Sequence, residues 1–231
     1  GSMTVFFTEN FFIEGVVIPE FRPSEIASSV FVQREVRQLQ ENALLTLNTD
    51  GSGEPESDNH DNSYAGRLGL TVLDIDMHVS YYYGYDHLPS YEMQADYAKV
   101  MSADKTNSVI VTPIYHKIQM VGFDFQRALF WGIAIRGEGA YFERGKYFSY
   151  THESPTANPL ASPLYTDVIA GGTGSIERDY VEYTAGFDDH DFIFDDLYLN
   201  VQFNQRIILD YDDTLRDEKY RNMILWDMKY S

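Results

Sequence analysis

The sequence predicts an all-β fold: an antiparallel, up-and-down transmembrane β-barrel, or part of one, with about 8–10 strands in this chain. Three observations predict it. Apolar and polar residues alternate over segments of about ten residues. The connections between these segments alternate between short and long. Aromatic residues gather near the segment ends, as in the interfacial girdles of membrane barrels.

The segment 133–141 illustrates the alternation. Ile133, Ile135 and Tyr141 share one face with two glycines, whereas Arg136 and Glu138 share the other. A soluble β-sandwich would turn its apolar face inward and its charges toward water. A transmembrane barrel does the reverse. One strand does not decide between the two, but the strands and connections taken together favour the barrel.

About nine segments are interpreted as strands, and the hairpin that turns at Leu73 and Asp74 is the clearest of them. The count is odd, so the first and last strands run in the same direction, whereas single-chain bacterial barrels have even counts. We therefore expect a fragment of a larger barrel, or a miscount of one strand at a terminus. The predicted strands are Thr4–Thr8, Phe11–Pro19, Ser63–Val72, Ile75–Tyr85, Val109–Phe125, Phe130–Phe142, Tyr180–Phe187, Leu197–Phe203 and Tyr220–Tyr230.

The connections fall into two classes. In an up-and-down sheet all short turns lie on one edge and all long loops on the other, which is typical of outer-membrane barrels. We treat residues 1–231 as a single domain or barrel fragment, and a short helix is expected at Val32–Leu44 in the first long loop. Short connections lie near Glu9, Leu73, Ala128 and His190, and long loops span residues 20–62, 86–108, 144–177 and 210–219.

Aromatic residues are expected to form two girdles, one at each end of the strands. Those near the short turns are Phe123, Phe125, Phe130, Trp131, Phe187, Phe192 and Phe194, and those near the long loops are Tyr81, Tyr82, Tyr83, Tyr85, Tyr141 and Tyr180. The alternative interpretation is that β-proteins are simply rich in aromatic residues.

Composition argues against several functions and structural features. The formal charge of −19 argues against nucleic-acid binding, because phosphate contacts need Lys and Arg. There is no cysteine, hence no disulfide and no cysteine metal site. No apolar run of about 18 residues occurs, so a transmembrane helix is not expected. No secretory signal is recognisable, and Gly1-Ser2-Met3 has the form of residues left by cloning, so the natural start is expected to be missing.

The polar residues of the alternating segments are the candidate site, and we expect them to line a polar lumen whose mixed charges filter solutes. Two candidate ion pairs are Arg67 with Asp76 across the hairpin, and Arg136 with Glu138. The alternative is that such charges pair with one another, fill a narrow barrel and pass nothing. The candidate lumen-lining residues are Glu14, Arg67, Asp76, His78, Arg136, Glu138, Glu182, Asn200 and Gln202, with Arg206 as a further candidate.

No catalytic, cofactor or metal site is expected. His78 with Asp76 is the one inward pair that could serve a hydrolase, and both residues lie in mid-strand. Nucleophile-elbow, zinc-protease and phosphate-loop motifs do not occur. The acidic stretches at residues 50–61 and 188–196 could offer oxygen ligands to calcium, but neither has the calcium-loop pattern, and solvated turn acids are favoured.

Three hairpins, YAGRLGLTVLDIDMHVSYYYGYD, VGFDFQRALFWGIAIRGEGAYF and VEYTAGFDDHDFIFDDLYLNVQFNQ, resemble those of large Gram-negative outer-membrane proteins. The likeness covers most of residues 11–210 and is greatest to a proteobacterial barrel family of porin or alginate-export type. That resemblance implies a monomeric or trimeric pore that passes a small solute, and it implies no catalytic residue. The chain departs from a complete member of such a family in lacking a signal peptide and a C-terminal aromatic residue.

The function expected is therefore that of an outer-membrane porin, a channel for passive transport of small solutes. The expected partners are outer-membrane lipid, a small-molecule solute, and either the remaining strands of a larger barrel or an oligomer. Nucleic acid and cofactors are not expected. The alternative is a soluble all-β ligand-binding domain whose apolar faces form one core, and an outer-membrane hydrolase is less favoured.

Overall fold

The structure is a computed structural model, and it describes residues 1–22, 24, 45–47, 62–96, 109–129, 132–149, 175–190, 197–213, 215 and 217–230. These residues form strands and their connections, and no α-helix occurs among them. The strands are β1 Ser2–Thr8, β2 Phe11–Ile18, β3 Leu45–Leu47, β4 Ser63–Val72, β5 Ile75–Tyr85, β6 Ser90–Ala95, β7 Val109–Ile114, β8 Lys117–Ala128, β9 Ala134–Ser149, β10 Ser175–His190, β11 Leu197–Ile208 and β12 Tyr220–Tyr230.

One nine-stranded sheet contains most of the described residues, in the order β1-β2-β4-β5-β8-β9-β10-β11-β12. Every pairing within it is antiparallel. The prediction of an all-β, mostly antiparallel fold is therefore confirmed for the described residues. The sheet is open, because β1 and β12 form its two edges and are not paired with each other.

A second, three-stranded sheet has the order β3-β7-β6, with β3 parallel to β7. The prediction of one strand over Val109–Phe125 was wrong, because the chain breaks at Tyr115 and His116 and only the second part joins the large sheet. Pro113 lies beyond the residues 109–111 of β7 that pair with β3 and is opposite Tyr91 of β6, so pairing with β3 does not need its missing N–H.

The strand boundaries show where local patterns sufficed. β4, β5 and β12 begin and end where the alternation predicts. β9 and β10 extend to Ser149 and from Ser175, so the expected loop 144–177 is partly strand. The expected loops 20–62 and 86–108 contain β3 and β6. The helix expected at Val32–Leu44 lies outside the described residues.

The turn between β4 and β5 consists of Leu73 and Asp74, whose φ angles are 52° and 61°. Positive φ at both central residues is the type I′ geometry, whose twist matches that of the flanking strands. Leucine is uncommon in this conformation. The positive φ at Leu73 is tolerated because the alternation on both sides already determines the strand pairing.

The strands are progressively staggered across the sheet. The reference row is the set of directly paired residues Glu14, Arg67, Ser80, Gly122, Ala140, Glu182 and Arg206. The number of residues between the short-turn end of a strand and this row increases across the sheet. It is three in β2 (11 to 14), five in β5 (75 to 80), six in β9 (134 to 140) and nine in β11 (197 to 206). The short-turn edge therefore runs obliquely to the strand pairing.

The buried core is small. Within the described residues only four apolar or aromatic side chains are buried: Ile118, Tyr180, Ile208 and Leu215. By contrast, twenty-five large apolar or aromatic side chains are exposed, among them Leu68, Val79, Val121, Phe123 and Trp226. The sheet therefore derives little hydrophobic stabilisation from contacts among its own side chains.

Candidate functional site

All nine candidate residues lie on one face of the large sheet. In an antiparallel pair, residues directly opposite each other point to the same side, so the pairing register alone assigns the faces. This polar face carries Glu14, Arg67, Asp76, His78, Arg136, Glu138, Glu182, Asn200 and Gln202, together with Arg206.

The polar face is the less accessible of the two. On β2 the residue Glu14 is half-buried, whereas its neighbour Ile13 on the opposite face is exposed. On β5 His78 and Ser80 are half-buried and Val79 between them is 46% exposed. On these strands the polar side chains are therefore more enclosed than their apolar neighbours.

Asp124 is the centre of the charge network on the polar face. His78 Nδ1 lies 2.6 Å from Asp124 Oδ1, close enough for the imidazole to donate a hydrogen bond to the carboxylate. The nearest guanidinium nitrogen of Arg67 lies 3.8 Å from the same oxygen, which is an ion pair without a hydrogen bond. His78 is the more enclosed partner, with its side chain 19% exposed against 39% for Asp124.

The two ion pairs expected from the sequence are replaced by others. Asp76 accepts a hydrogen bond of 2.6 Å from the Thr71 hydroxyl, because Thr71 is its direct partner across the hairpin. Arg136 forms its ion pair with Asp188 on the adjacent strand β10 rather than with Glu138. The carboxylate of Asp188 is the buried member, with its side chain 11% exposed.

An apolar cluster closes the long-loop end of the same face. The rings of Phe142 and Tyr180 stack with centroids 4.4 Å apart and an interplanar angle of 5°. Leu215, from the segment between β11 and β12, is 1% exposed and packs with Tyr180 and Ile208. Arg206 donates to Asp217 at 2.8 Å, so an ion pair also ties this segment to the polar face.

The aromatic residues do not all follow the girdle prediction. Tyr81 and Tyr83 lie on the apolar face, but Tyr82 lies on the polar face, where its hydroxyl donates to the carbonyl of Tyr85 at 2.8 Å. Tyr180 also lies on the polar face. Consecutive residues of a strand point to opposite faces, so a run of tyrosines cannot belong entirely to one girdle. Phe130, Trp131, Phe192 and Phe194 lie outside the described residues.

Two adjoining depressions lie in the polar face. One of ≈ 390 Å³ is lined by Ser80, Gly122, Ala140 and Glu182, and one of ≈ 420 Å³ by Arg67, Arg136 and Gln202, among others. Both include Asp124, Glu138 and Thr184 in their linings. The small residues of the reference row, Ser80, Gly122 and Ala140, leave the space open between the charged residues on either side.

The candidate list derived from the sequence omits three members of this face. Asp124, Asp188 and Thr184 lie on it beside the predicted residues. The signal for Asp124 was its alternation with Gly122 and Gln126, which the irregular start of the segment 109–125 obscured. Asp188 was assigned to a turn, whereas β10 continues to His190.

The remaining predictions concern a hydrolase pair and a metal site. His78 contacts Asp124 rather than Asp76, the partner considered for a hydrolase. The acidic stretch 50–61 lies outside the described residues. In the part of the chain that the structure describes, no three His, Asp or Glu side chains are grouped as a metal site would require, and no helix is long and apolar enough to cross a membrane.

No protein-family model, curated protein or solved structure matches this chain. The structure therefore assigns the chain to a fold class and not to a family. The class is that of all-β proteins with one large, open, antiparallel sheet that carries a charged face and an apolar face.

Proposed function

We propose that this chain is part of a transmembrane β-barrel of a Gram-negative outer membrane, and that the barrel is a porin for passive transport of small solutes. The apolar face contacts lipid and the polar face lines an aqueous lumen. The proposal assigns no catalytic role to His78 or to any other residue.

The observation that carries the proposal is the inverted polarity of the sheet. Within the described residues twenty-five large apolar or aromatic side chains are exposed, against four that are buried. Eighteen of the exposed ones lie on the apolar face, and three, Phe6, Met223 and Leu225, lie on the polar face. A soluble monomer rarely exposes contiguous apolar surface on this scale. In a bilayer the same surface meets hydrocarbon, and the charged face avoids it because the lumen contains water.

The stagger of the strands supports the proposal independently of side-chain polarity. Strands that close into a barrel must tilt relative to its axis, and the tilt requires the register to shift steadily from strand to strand. The increase from three residues at β2 to nine residues at β11 is such a shift. Strand lengths of 10 to 12 residues in β4, β5, β8, β11 and β12 are also sufficient to cross a bilayer.

The directions of the edge strands determine which partner can close the barrel. β1 and β12 are separated by seven antiparallel neighbours, so both run from the long-loop end to the short-turn end. Direct pairing of β1 with β12 would be parallel, within one chain or between two copies in the same orientation. We therefore infer that an odd number of further strands lies between them, supplied by the rest of a larger barrel.

Substituted cysteines test the orientation, because the chain contains no native cysteine. Val121 is 51% exposed on the apolar face, and Gln126, five residues along the same strand, is exposed on the polar face. In lipid vesicles, we expect Val121→Cys to resist a water-soluble maleimide and Gln126→Cys to react. Equal and rapid labelling of both positions would contradict the lipid contact.

Transport is tested separately on the closed barrel, this chain together with the further strands, by swelling of vesicles that contain it in sugars of increasing size. We expect swelling in small sugars and a decrease as the sugar grows. A protein that remains monodisperse without detergent and causes no swelling would be the soluble all-β domain instead.

A further inference from the structure

Two groups of opposite charge on the polar face make no hydrogen bond with any residue that the structure describes. Arg67 approaches Asp124 only to 3.8 Å, and within the described residues its guanidinium makes no hydrogen bond. Glu138 makes neither a hydrogen bond nor an ion pair with any described residue. Asp124 itself is engaged by His78 at 2.6 Å. The N–H donors of Arg67 and the carboxylate oxygens of Glu138 therefore line the same depression.

Register brings these groups close together. Glu138 is directly opposite Asp124 across the β8–β9 pair, and side chains in such positions have Cβ atoms about 4.5–5.5 Å apart. Arg67 reaches Asp124 from the other side. The Arg67 guanidinium and the Glu138 carboxylate are thus separated by a single carboxylate, a spacing that a small molecule can bridge.

Space is available at this point. The depression that contains both Arg67 and Glu138 measures ≈ 420 Å³, which lies in the range of small-ligand sites. Thr184 and Gln202 line it and can donate or accept further hydrogen bonds. A solute of several heavy atoms fits there while remaining partly hydrated.

We propose that Arg67 and Glu138 form a subsite for small zwitterionic solutes of amino-acid type. The inference rests on the proposed function, because it requires the polar face to meet the solute. The solute carboxylate lies against the Arg67 guanidinium, whose planar fork matches two carboxylate oxygens. The solute ammonium donates to the Glu138 carboxylate.

The mixed charge of the subsite explains why a zwitterion fits best. A simple anion attracted to Arg67 is repelled by the carboxylates of Asp124 and Glu138. A simple cation attracted to Glu138 meets the guanidinium of Arg67. A solute that carries both charges complements both groups at once.

Four solutes of nearly equal shape test this, by saturation-transfer NMR on the protein in detergent micelles: L-alanine, lactate, alaninamide and lactamide. They are a zwitterion, an anion, a cation and a neutral molecule. We expect L-alanine to bind about fivefold more tightly than lactamide, the combined scale of the two solvent-exposed ion pairs that lactamide lacks. Equal signals from L-alanine and lactamide would overturn the proposal.

Two variants separate the roles of the two groups. Arg67→Gln should shift the preference toward alaninamide, and Glu138→Gln should shift it toward lactate. Arg127→Gln is the matched control, because Arg127 lies on the apolar face of β8 and should leave the order unchanged. A merely structural role for Arg67 or Glu138 would weaken all four solutes alike, which would also refute the proposal.

The outcomes are distinguishable from those of the transport test. If the micellar protein prefers L-alanine but vesicles do not swell, the transport function fails and the subsite stands. If vesicles swell and no solute is preferred, the subsite fails and transport stands. The comparison of four solutes on the unaltered protein does not depend on whether a variant folds.

Discussion

Replacement of Val79 by lysine gives the sharpest test of lipid contact. Val79 lies on the apolar face, is 46% exposed, and has Leu68 and Phe123 directly opposite it on the neighbouring strands. It is one residue from Ser80, the middle of the 11-residue strand β5. At about 3.3 Å per residue, its side chain therefore leaves the sheet within about 3 Å of mid-strand.

The expected size of the effect follows from that depth. Lysine on the lipid face near the bilayer midplane costs roughly 2–4 kcal/mol of folding free energy. The same change on an exposed position of a soluble protein is usually within about 0.5 kcal/mol. The two interpretations of the sheet therefore differ by several-fold in one measurement.

The assay is urea unfolding from phospholipid vesicles, with the free energy of unfolding as the readout. Gln126→Lys is the matched control, because Gln126 is exposed on the polar face between Asp76 and Arg136 and its replacement should be nearly neutral. A loss of less than about 0.5 kcal/mol for Val79→Lys, with folding intact, would refute the lipid contact.

Three further predictions concern stability. Gly69→Ala should cost about 1–3 kcal/mol, because a Cβ atom there would overlap the Phe12 ring; Gly15→Ala, with nothing within 4 Å, should not destabilise, and equal unfolding free energies would contradict this. Leu215→Ala should lower the free energy of unfolding by roughly 2–5 kcal/mol and speed proteolysis of the segment 209–219, since the side chain is buried. An unchanged cleavage rate would contradict the idea that Leu215 holds this segment against the sheet. Burial lowers the pKa of His116 below its usual 6.5, against the opposing effect of three nearby carboxylates. The unfolded chain then binds a proton that the folded chain resists, so the unfolding free energy should fall as the pH drops below about 6.5, and His116→Gln should flatten that profile.

Local patterns in the sequence predicted the elements well where alternation was regular. The bounds of β4 and β5 follow from strict alternation on both sides of a two-residue turn. Face assignment needs only the period of two, so Arg136 and Glu138 are found on one face without knowledge of any partner strand. These predictions use information within about ten residues of the position concerned.

Cross-strand contacts could not be predicted in this way. Arg67 lies closest to Asp124 rather than Asp76 because β5 pairs with β8, forty residues along the chain, in a register that no local pattern specifies. The packing of Leu215 on Ile208 is hidden for the same reason, since an isolated leucine in an acidic loop carries no periodic signal. Partner identity in a sheet depends on register, and register depends on the whole assembly.

Lipid contact and barrel closure are linked by the backbone. A strand edge in hydrocarbon leaves N–H and C=O groups without partners, at several kcal/mol each. If the apolar face meets lipid, the outer edges of β1 and β12 therefore cannot stay open at membrane depth. The apolar face extends to the edge of the sheet, because Ile224, Trp226 and Met228 on β12 belong to it and are exposed. Evidence for lipid contact at Val79 is thus also evidence that further strands close the barrel.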